Sequence, residues 1–510
     1  MHFGSTFVRS LAPFLMVSTA RGLSFANESI EVPPASNVST GNPAKCNHTS
    51  HFFPQKIYHK ANSSATGVAV AQGNNTFLQQ YQIITDFYRP GGPILLYQGA
   101  ETPFQCMENW AVYDHAKELG ALVASIEHRY YWLSTPFGLK WEDNSNWPTS
   151  SLKPLTLENI ALDTISFLHW VKATVPGAEK SKAILFGASY AGFLTVHIKN
   201  TYPNEFFGAV AASLPVLGQV SDPNDPLMYS IGNQASSILS QMSAKGAARV
   251  KRSFESIRRR ISQNDLSNMK EQYNLCTQPR NTTEALYILQ GFLTAFTYLC
   301  EFNFPPFQVG QQNSVPFPAE VAIKAIADLK APFADEQPIR IGIDYYNQAN
   351  GQTCLDWSKP PRGGGQLPYS WARCHFLKHP DPYSTADSIF GLVAPDNKTN
   401  NVLDAQCQDD FKIDATDGGA ALQAELKTSL KDIMGAERLI VSTGEWDSIT
   451  GSTFPRWAPG PGADETKPFL VGKGAHVSDL IRESEYDRDG VKDARKAELE
   501  VMKGWLGIEV

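Results

Sequence analysis

The sequence predicts an α/β protein: a doubly wound, mostly parallel sheet with a mainly helical cap inserted into it. Three observations lead there. Between residues 80 and 220, short apolar runs alternate with stretches of helical period, the pattern of a parallel sheet covered on both faces. Over 220–430 the texture becomes helical, and five of the seven cysteines fall there. Past residue 430 strand-like runs return, and a helix closes the chain. Composition agrees. A chain of 510 residues, 42% hydrophobic, is too long for one ordinary core and calls for more than one unit. The net charge of −7 argues against a general nucleic-acid binder, which needs a basic footprint. No apolar run approaches about 18 residues, so no membrane span is expected in the mature chain.

The elements follow in order. Pro93–Gln98 (PILLYQ), Ala121–Ile126 (ALVASI), Ala183–Phe186 (AILF) and Gly208–Ala212 (GAVAA) read as buried strands. Between the second and third, Leu155–Val175 carries Leu155, Ile160, Leu162, Ile165, Leu168 and Val171 at helical spacing, with Glu158 and Asp163 on the other side. The stretch 235–275 reads as helical, and its cluster Lys245, Arg249, Lys251, Arg252, Arg258, Arg259 and Arg260 as a solvated face. Pro360–Gln366 (PPRGGGQ) reads as a loop. Arg438–Ser442 and Phe469–Val471 resume the sheet, and Val491–Leu506 is the closing helix. The expected organisation is a signal peptide over 1–26, a leader over 27–75, a first sheet segment over 76–219, the cap over 220–430 and a second sheet segment over 431–510.

The N-terminus reads as a secretory signal. Arg9 supplies the charge, Leu11–Val17 the short apolar stretch, and cleavage is expected after Ala20 or Ala26. Glycosylation triplets begin at Asn27, Asn37, Asn47, Asn62, Asn74, Asn281 and Asn397, five of them within 27–76. Seven cysteines in an exported chain should mostly pair, and the odd count leaves at least one over. None forms a C-x-x-C pair, which argues against a structural zinc site. A secreted or vacuolar/lysosomal destination follows.

The sharpest chemical signal is at 183–192. An apolar strand runs into Gly187-Ala188-Ser189-Tyr190-Ala191-Gly192, and a helical pattern follows. A serine on a strained strand-to-helix turn needs small neighbours, and this context marks Ser189 as a nucleophile. A nucleophilic serine needs a base, and the base an orienting acid, each on a loop after a strand. One histidine lies beyond residue 379: His476, directly after Phe469–Val471. Asp447 follows Ser442 and precedes His476, as the Ser…Asp…His order requires. Glu445 is the rival acid, nearer the strand end. An oxyanion hole is expected from the amide of Tyr190 and one amide among Gly99, Ala100 and Glu101. His128, at a strand end, reads as structural.

Four blocks together resemble the serine peptidase family that includes lysosomal Pro-Xaa carboxypeptidase, dipeptidyl peptidase II, thymus-specific serine protease and secreted fungal prolyl endopeptidases. They are Pro93–Glu101 (PILLYQGAE), Glu127–Gly138 (EHRYYWLSTPFG), Phe186–Leu194 (FGASYAGFL), and Ser442–Asp447 (STGEWD) with Gly474–Leu480 (GAHVSDL). The resemblance runs from His51 to the C-terminus. It implies an α/β-hydrolase with a helical insertion over the active site, catalysis by residues matching Ser189, Asp447 and His476, and disulfides Cys276–Cys354 and Cys374–Cys407. Two departures stand out. The elbow has alanines where the family often reads Gly-Gly-Ser-Tyr-Gly-Gly. Ser448-Ile449 stands where the family often places Pro-Trp, so Trp371, Trp446 or Trp457 is the candidate aromatic wall of a proline pocket.

The expected function is a secreted serine peptidase cleaving after proline through an acyl-enzyme. Its partners are peptide or protein substrates, its state monomer or homodimer, and it requires no metal or organic cofactor. The rival readings are an esterase or lipase on the same fold and a catalytically inactive binding protein.

Overall fold

The computed structural model describes residues 46–60, 75–103, 105–215, 226–305, 315–330, 337–357, 367–377, 382–394, 407, 411–412, 436–453 and 466–509. The signal peptide, Asn27, Asn37, Asn62, Asn74, Asn397, Trp457 and the 360–366 loop lie outside the described residues.

The chain begins with β1 (His51–Lys56), β2 (Thr76–Ile84) and β3 (Ile94–Gln98). Then come α1 (Ala111–Leu119), β4 (Leu122–Ile126), α2 (Leu157–Thr174), β5 (Ala183–Ala188), α3 (Tyr190–Thr201) and β6 (Gly208–Ala212). Among the described residues seven helices follow: α4 (Ser230–Met242), α5 (Ala244–Ser262), α6 (Met269–Tyr273), α7 (Thr282–Glu301), α8 (Pro318–Asp328), α9 (Gln337–Ala349) and α10 (Leu367–His375). The sheet resumes with β7 (Leu439–Gly444), a short α11 (Thr450–Thr453), β8 (Lys467–Val471) and α12 (Asp489–Leu506).

The described strands form one sheet in the order β1-β2-β4-β3-β5-β6-β7-β8. The β1–β2 and β2–β4 pairs are antiparallel, and every pair from β4 to β8 is parallel. This order is that of the α/β-hydrolase fold. Strands β3, β4, β5 and β6 are buried at every residue, which is why each reads as an unbroken apolar run. One face packs on α2 and α3 through Leu96, Leu185, Ala211, Leu168 and Leu194; the other packs on α1 and α12 through Leu95, Ile184, Val210, Val112 and Met502. Helices α4 to α9 build an apolar cluster of their own, centred on Phe254, Phe292, Phe296 and Ile343.

Three features depart from the sequence reading. Strand β1 lies inside the stretch taken as leader; it alternates exposed and buried residues and carries Pro54, as an edge strand can. The helical stretch expected over 235–275 is divided into three helices. Ser243 is extended and caps α5 by accepting from the Gly246 amide, while Asn268 and Asn274 take left-handed conformations around α6. Arg249 leaves the solvated face: it is buried, and its Nη1 donates to the carbonyls of Ile326 and Ala327 at the end of α8.

Candidate active site

The parallel strands end together, so the loops after β5, β6, β7 and β8 share one edge of the sheet. Ser189 follows β5. Its φ of 55° and ψ of −124° put a non-glycine residue in a conformation that only surrounding structure can hold. Its amide donates to Ala212 O at 2.8 Å, and its own carbonyl accepts from Phe193. Ala188 and Tyr190 are buried while Ser189 is only half-buried, so the turn lifts this side chain out of the core. A Cβ at residue 187 would stand 2.2 Å from Ala191 O and 2.3 Å from Thr195 Oγ1; at 192 it would stand 2.9 Å from Ala212 O. Glycine is therefore required at 187 and 192. Residue 191 tolerates alanine, and the departure from the double-glycine pattern leaves the elbow intact.

The candidate acid and base, Asp447 and His476, lie on the loops after β7 and β8. Asp447 is fully buried, and its Oδ2 lies 2.8 Å from His476 Nδ1. Its Oδ1 accepts from the Ile449 amide at 3.0 Å, which fixes the carboxylate plane. The His476 amide donates to Glu301 O at 2.9 Å, and the Val477 amide to Ser213 Oγ at 3.0 Å. Ser213 follows β6 and donates its own amide to Ser442 O on β7. Backbone bonds and the Ser213 hydroxyl thus tie the Ser189 strand to the His476 loop through β6. Burial opposes the imidazolium of His476, but Asp447, and then Glu301 and Glu101, outweigh it and raise the group to about 9.

Residues 70–321 match the serine carboxypeptidase S28 family. The chain belongs to this family. It is 25% identical over 476 residues to the lysosomal Pro-X carboxypeptidase of Pongo abelii, covering 90% of this chain and 88% of that one. It is 26% identical over 514 residues to the lysosomal Pro-X carboxypeptidase of Mus musculus, covering 97% of each. A stretch of 150 residues is 36% identical to prolyl carboxy peptidase like protein 5 of Caenorhabditis elegans, 29% of each chain.

Within this S28 serine peptidase the remaining candidates separate. Glu445 is occupied elsewhere: its Oε2 accepts from the Lys473 amide at 2.8 Å, closing the β8 loop rather than meeting His476. Gly99 is corrected as an oxyanion donor, because its amide already donates to Ile126 O at 2.9 Å. Tyr190 begins α3, where helix amides point outward from the N-terminus; Ala100 and Glu101 lie beyond Gly99 on the loop after β3. Trp446 is buried beside Asp447, with the Arg488 guanidinium 4.7 Å above its ring. Trp371 is buried in the sheet core, its Nε1 donating to Leu155 O and its ring stacked 3.7 Å from His375. These partners make it a core residue more than a pocket wall.

Cys276 pairs with Cys354, Cys374 with Cys407, and Cys46 with Cys106; Cys300 is a buried free thiol. Asn47 and Asn281 are exposed. Asn281 caps α7 through its oxygen, which accepts from the Glu284 amide and leaves the side-chain nitrogen available to a glycan. Among the described residues, no helix is long and apolar enough to cross a membrane.

The EHRYY block is structural at its centre. Arg129 is fully buried and donates from Nε and Nη2 to Asp163, and from Nη1 to the carbonyls of Ile57 and Pro154. His128 Nε2 meets the Tyr190 hydroxyl at 3.0 Å, so the block also holds the residue that follows Ser189. Sequence reasoning missed Ser213 and the carboxyl of Glu301. Neither sits in a motif, and only the packing of α7 and β6 against the His476 loop brings them in.

Proposed function

We propose that this protein hydrolyses peptide bonds on the carboxyl side of proline, with Ser189 as nucleophile, His476 as general base and acid, and Asp447 as the group that orients the histidine. One observation carries the reading. A buried Asp447–His476 contact of 2.8 Å lies on the same sheet edge as the half-buried, strained Ser189. His476 Nε2 takes the Ser189 Oγ proton as Oγ attacks the carbonyl carbon, then passes it to the departing amine. Water repeats the cycle on the acyl-enzyme. The oxyanion would be met by the Tyr190 amide and an amide from Ala100 or Glu101, each such donor typically worth about 3–4 kcal/mol. The names of the full-length relatives favour removal of a C-terminal residue that follows proline. Trp446 is the aromatic best placed to replace the missing Pro-Trp. Three disulfides and exposed triplets at Asn47 and Asn281 favour a route through the secretory pathway.

The test is labelling by a fluorophosphonate together with three peptides assayed across pH 4–8. One has a blocked N-terminus and a penultimate proline, one a free N-terminus with proline second, and one an internal proline with both ends blocked. Wild type is expected to label and to cleave the first peptide, and Ser189→Ala to do neither. Unchanged cleavage by Ser189→Ala would remove the mechanism. Cleavage of the second or third peptide instead would replace the carboxypeptidase mode. An enzyme that labels and cleaves none of them, but hydrolyses acyl esters, would be an esterase.

A further inference from the structure

We propose that Glu301 is a second positioning carboxylate for His476, acting on its Nε2 edge from the end of α7 while Asp447 holds Nδ1. This rests on the triad reading above. The geometry supplies the argument. Glu301 Oε1 lies 3.9 Å from His476 Nε2, close enough for strong attraction and too far for a hydrogen bond that would block the ring nitrogen from Ser189. The two side chains are 3% and 4% exposed, so water screens little. Glu301 Oε1 and Glu101 Oε2 are buried and have no hydrogen-bond partner among the described residues. A buried carboxyl left in that state is costly unless a charge faces it. Here the imidazolium formed in each catalytic cycle is that charge.

The same helix end fixes the histidine mechanically. Glu301 O accepts the His476 amide, Thr297 O accepts from Ser448 Oγ beside Asp447, and the Phe302 ring packs edge-on to the imidazole at 5.9 Å. The inserted helices thus contribute to the protonation of the base as well as to its place.

Among the described residues, the charged groups that act on His476 include Asp447 after β7, Glu301 on α7 and Glu101 after β3. Burial holds Glu301 and Glu101 well above the usual carboxylate range, while His476 pulls both back down. The Cys300 thiol next to Glu301 is kept neutral by burial and by Asp447 and Glu301. The sign follows from these charges. An ionised Glu301 favours the imidazolium, so it keeps His476 protonated to higher pH in the resting enzyme and stabilises the imidazolium of the transition state. Replacing it with a neutral isostere frees the base at lower pH.

The readout is the rate of fluorophosphonate labelling against pH from 4 to 11, which depends on Ser189 and His476 and on no particular substrate. Glu301→Gln is expected to move the midpoint of the acid limb down by about one pH unit or more, with a lower plateau rate. Glu301→Asp, which keeps the charge, is expected to return the midpoint towards wild type. A Glu301→Gln midpoint equal to wild type, whatever the plateau, would overturn the proposal and leave Glu301 a structural residue. If Glu301→Gln does not fold, Glu301→Met, which removes the charge at similar side-chain length, carries the test: a downward shift supports the proposal and an unmoved midpoint overturns it. Absence of labelling in folded wild type would instead overturn the triad reading and this proposal with it.

Discussion

Gly187 and Ala191 meet across the elbow, and their contact separates two substitutions that look alike on paper. Gly187→Ala drives a methyl to 2.2 Å from a backbone oxygen. It is expected to cost about 1–3 kcal/mol of stability and to slow labelling of Ser189 severely, because overpacking here shifts the turn itself. Ala191→Gly, which restores the commoner family pattern, is expected to cost no more than about 1 kcal/mol as a glycine in a helix and to leave labelling intact. Urea unfolding and labelling rates of the two variants check this. At the same scale, the sequence could name Asp447 and His476 because order and strand ends constrain them. It could not exclude Glu445, two residues away on the same loop. The direction of that side chain towards the Lys473 amide is set by the turn after β8, a segment 28 residues away in sequence.

Among the elements, the antiparallel β1–β2 pair was the least legible. Thr76–Ile84 contains three glutamines, and all three are buried: Gln79 donates to Glu127 O, Gln80 to Ser50 Oγ and Gln82 to His48 O. Polar side chains satisfied inside the fold hide a strand from a reading based on apolar alternation. Arg129 joins these elements. Its guanidinium bridges the end of β1, the turn before α2 and Asp163 on α2. Asp163, read from the sequence as the polar side of that helix, is in fact buried, because Arg129 and His59 both reach it. Arg129→Leu is therefore expected to lower stability by about 3–5 kcal/mol, leaving Asp163 a buried charge without its main partner. Chemical unfolding of the variant, with Asp163→Asn as a second single variant and the pair together, measures this. A double variant less destabilised than Arg129→Leu alone would show the uncompensated charge directly.

Over the whole molecule, the buried titratable groups predict a one-sided pH profile of stability. Burial lowers His115, His128 and His197 to about 4, so their contribution is complete above 6.5 and is lost as pH falls from 6.5 through 4. Burial raises Glu101 to about 7 and raises Glu301, Glu498 and Asp479 as well. The contribution of the raised glutamates is complete below 4.5 and declines as pH climbs through their folded values; that of Asp479 behaves likewise from its own lower starting value. His476, raised by Asp447, Glu301 and Glu101 against burial, loses its contribution between 6.5 and about 9. The two sets oppose one another between about 4.5 and 6.5, and from 6.5 to about 8 losses dominate; above that Lys199, lowered to about 8 by burial, begins to offset them. The melting temperature is expected to be nearly level through mild acid and to fall from pH 6.5 to 8. Thermal unfolding followed by calorimetry at constant ionic strength checks this, and a melting temperature that rises over that upper range would contradict the assignments.

The parallel sheet, the serine turn after β5 and the order of the catalytic candidates were legible in the amino-acid sequence alone. These are written in local runs: strands buried on both faces must be continuously apolar, and an elbow must carry small residues at fixed offsets. Which loop carboxylate meets His476, the commitment of the Gly99 amide to Ile126, the closing of a helix end by Arg249 and the position of Glu301 beside His476 emerged only with the packed fold. Each of those outcomes depends on where a side chain or amide points after segments distant in sequence have packed together. Hydrogen-bond direction and burial at such a junction are properties of the assembled pair, and neither partner carries a local signal of the other.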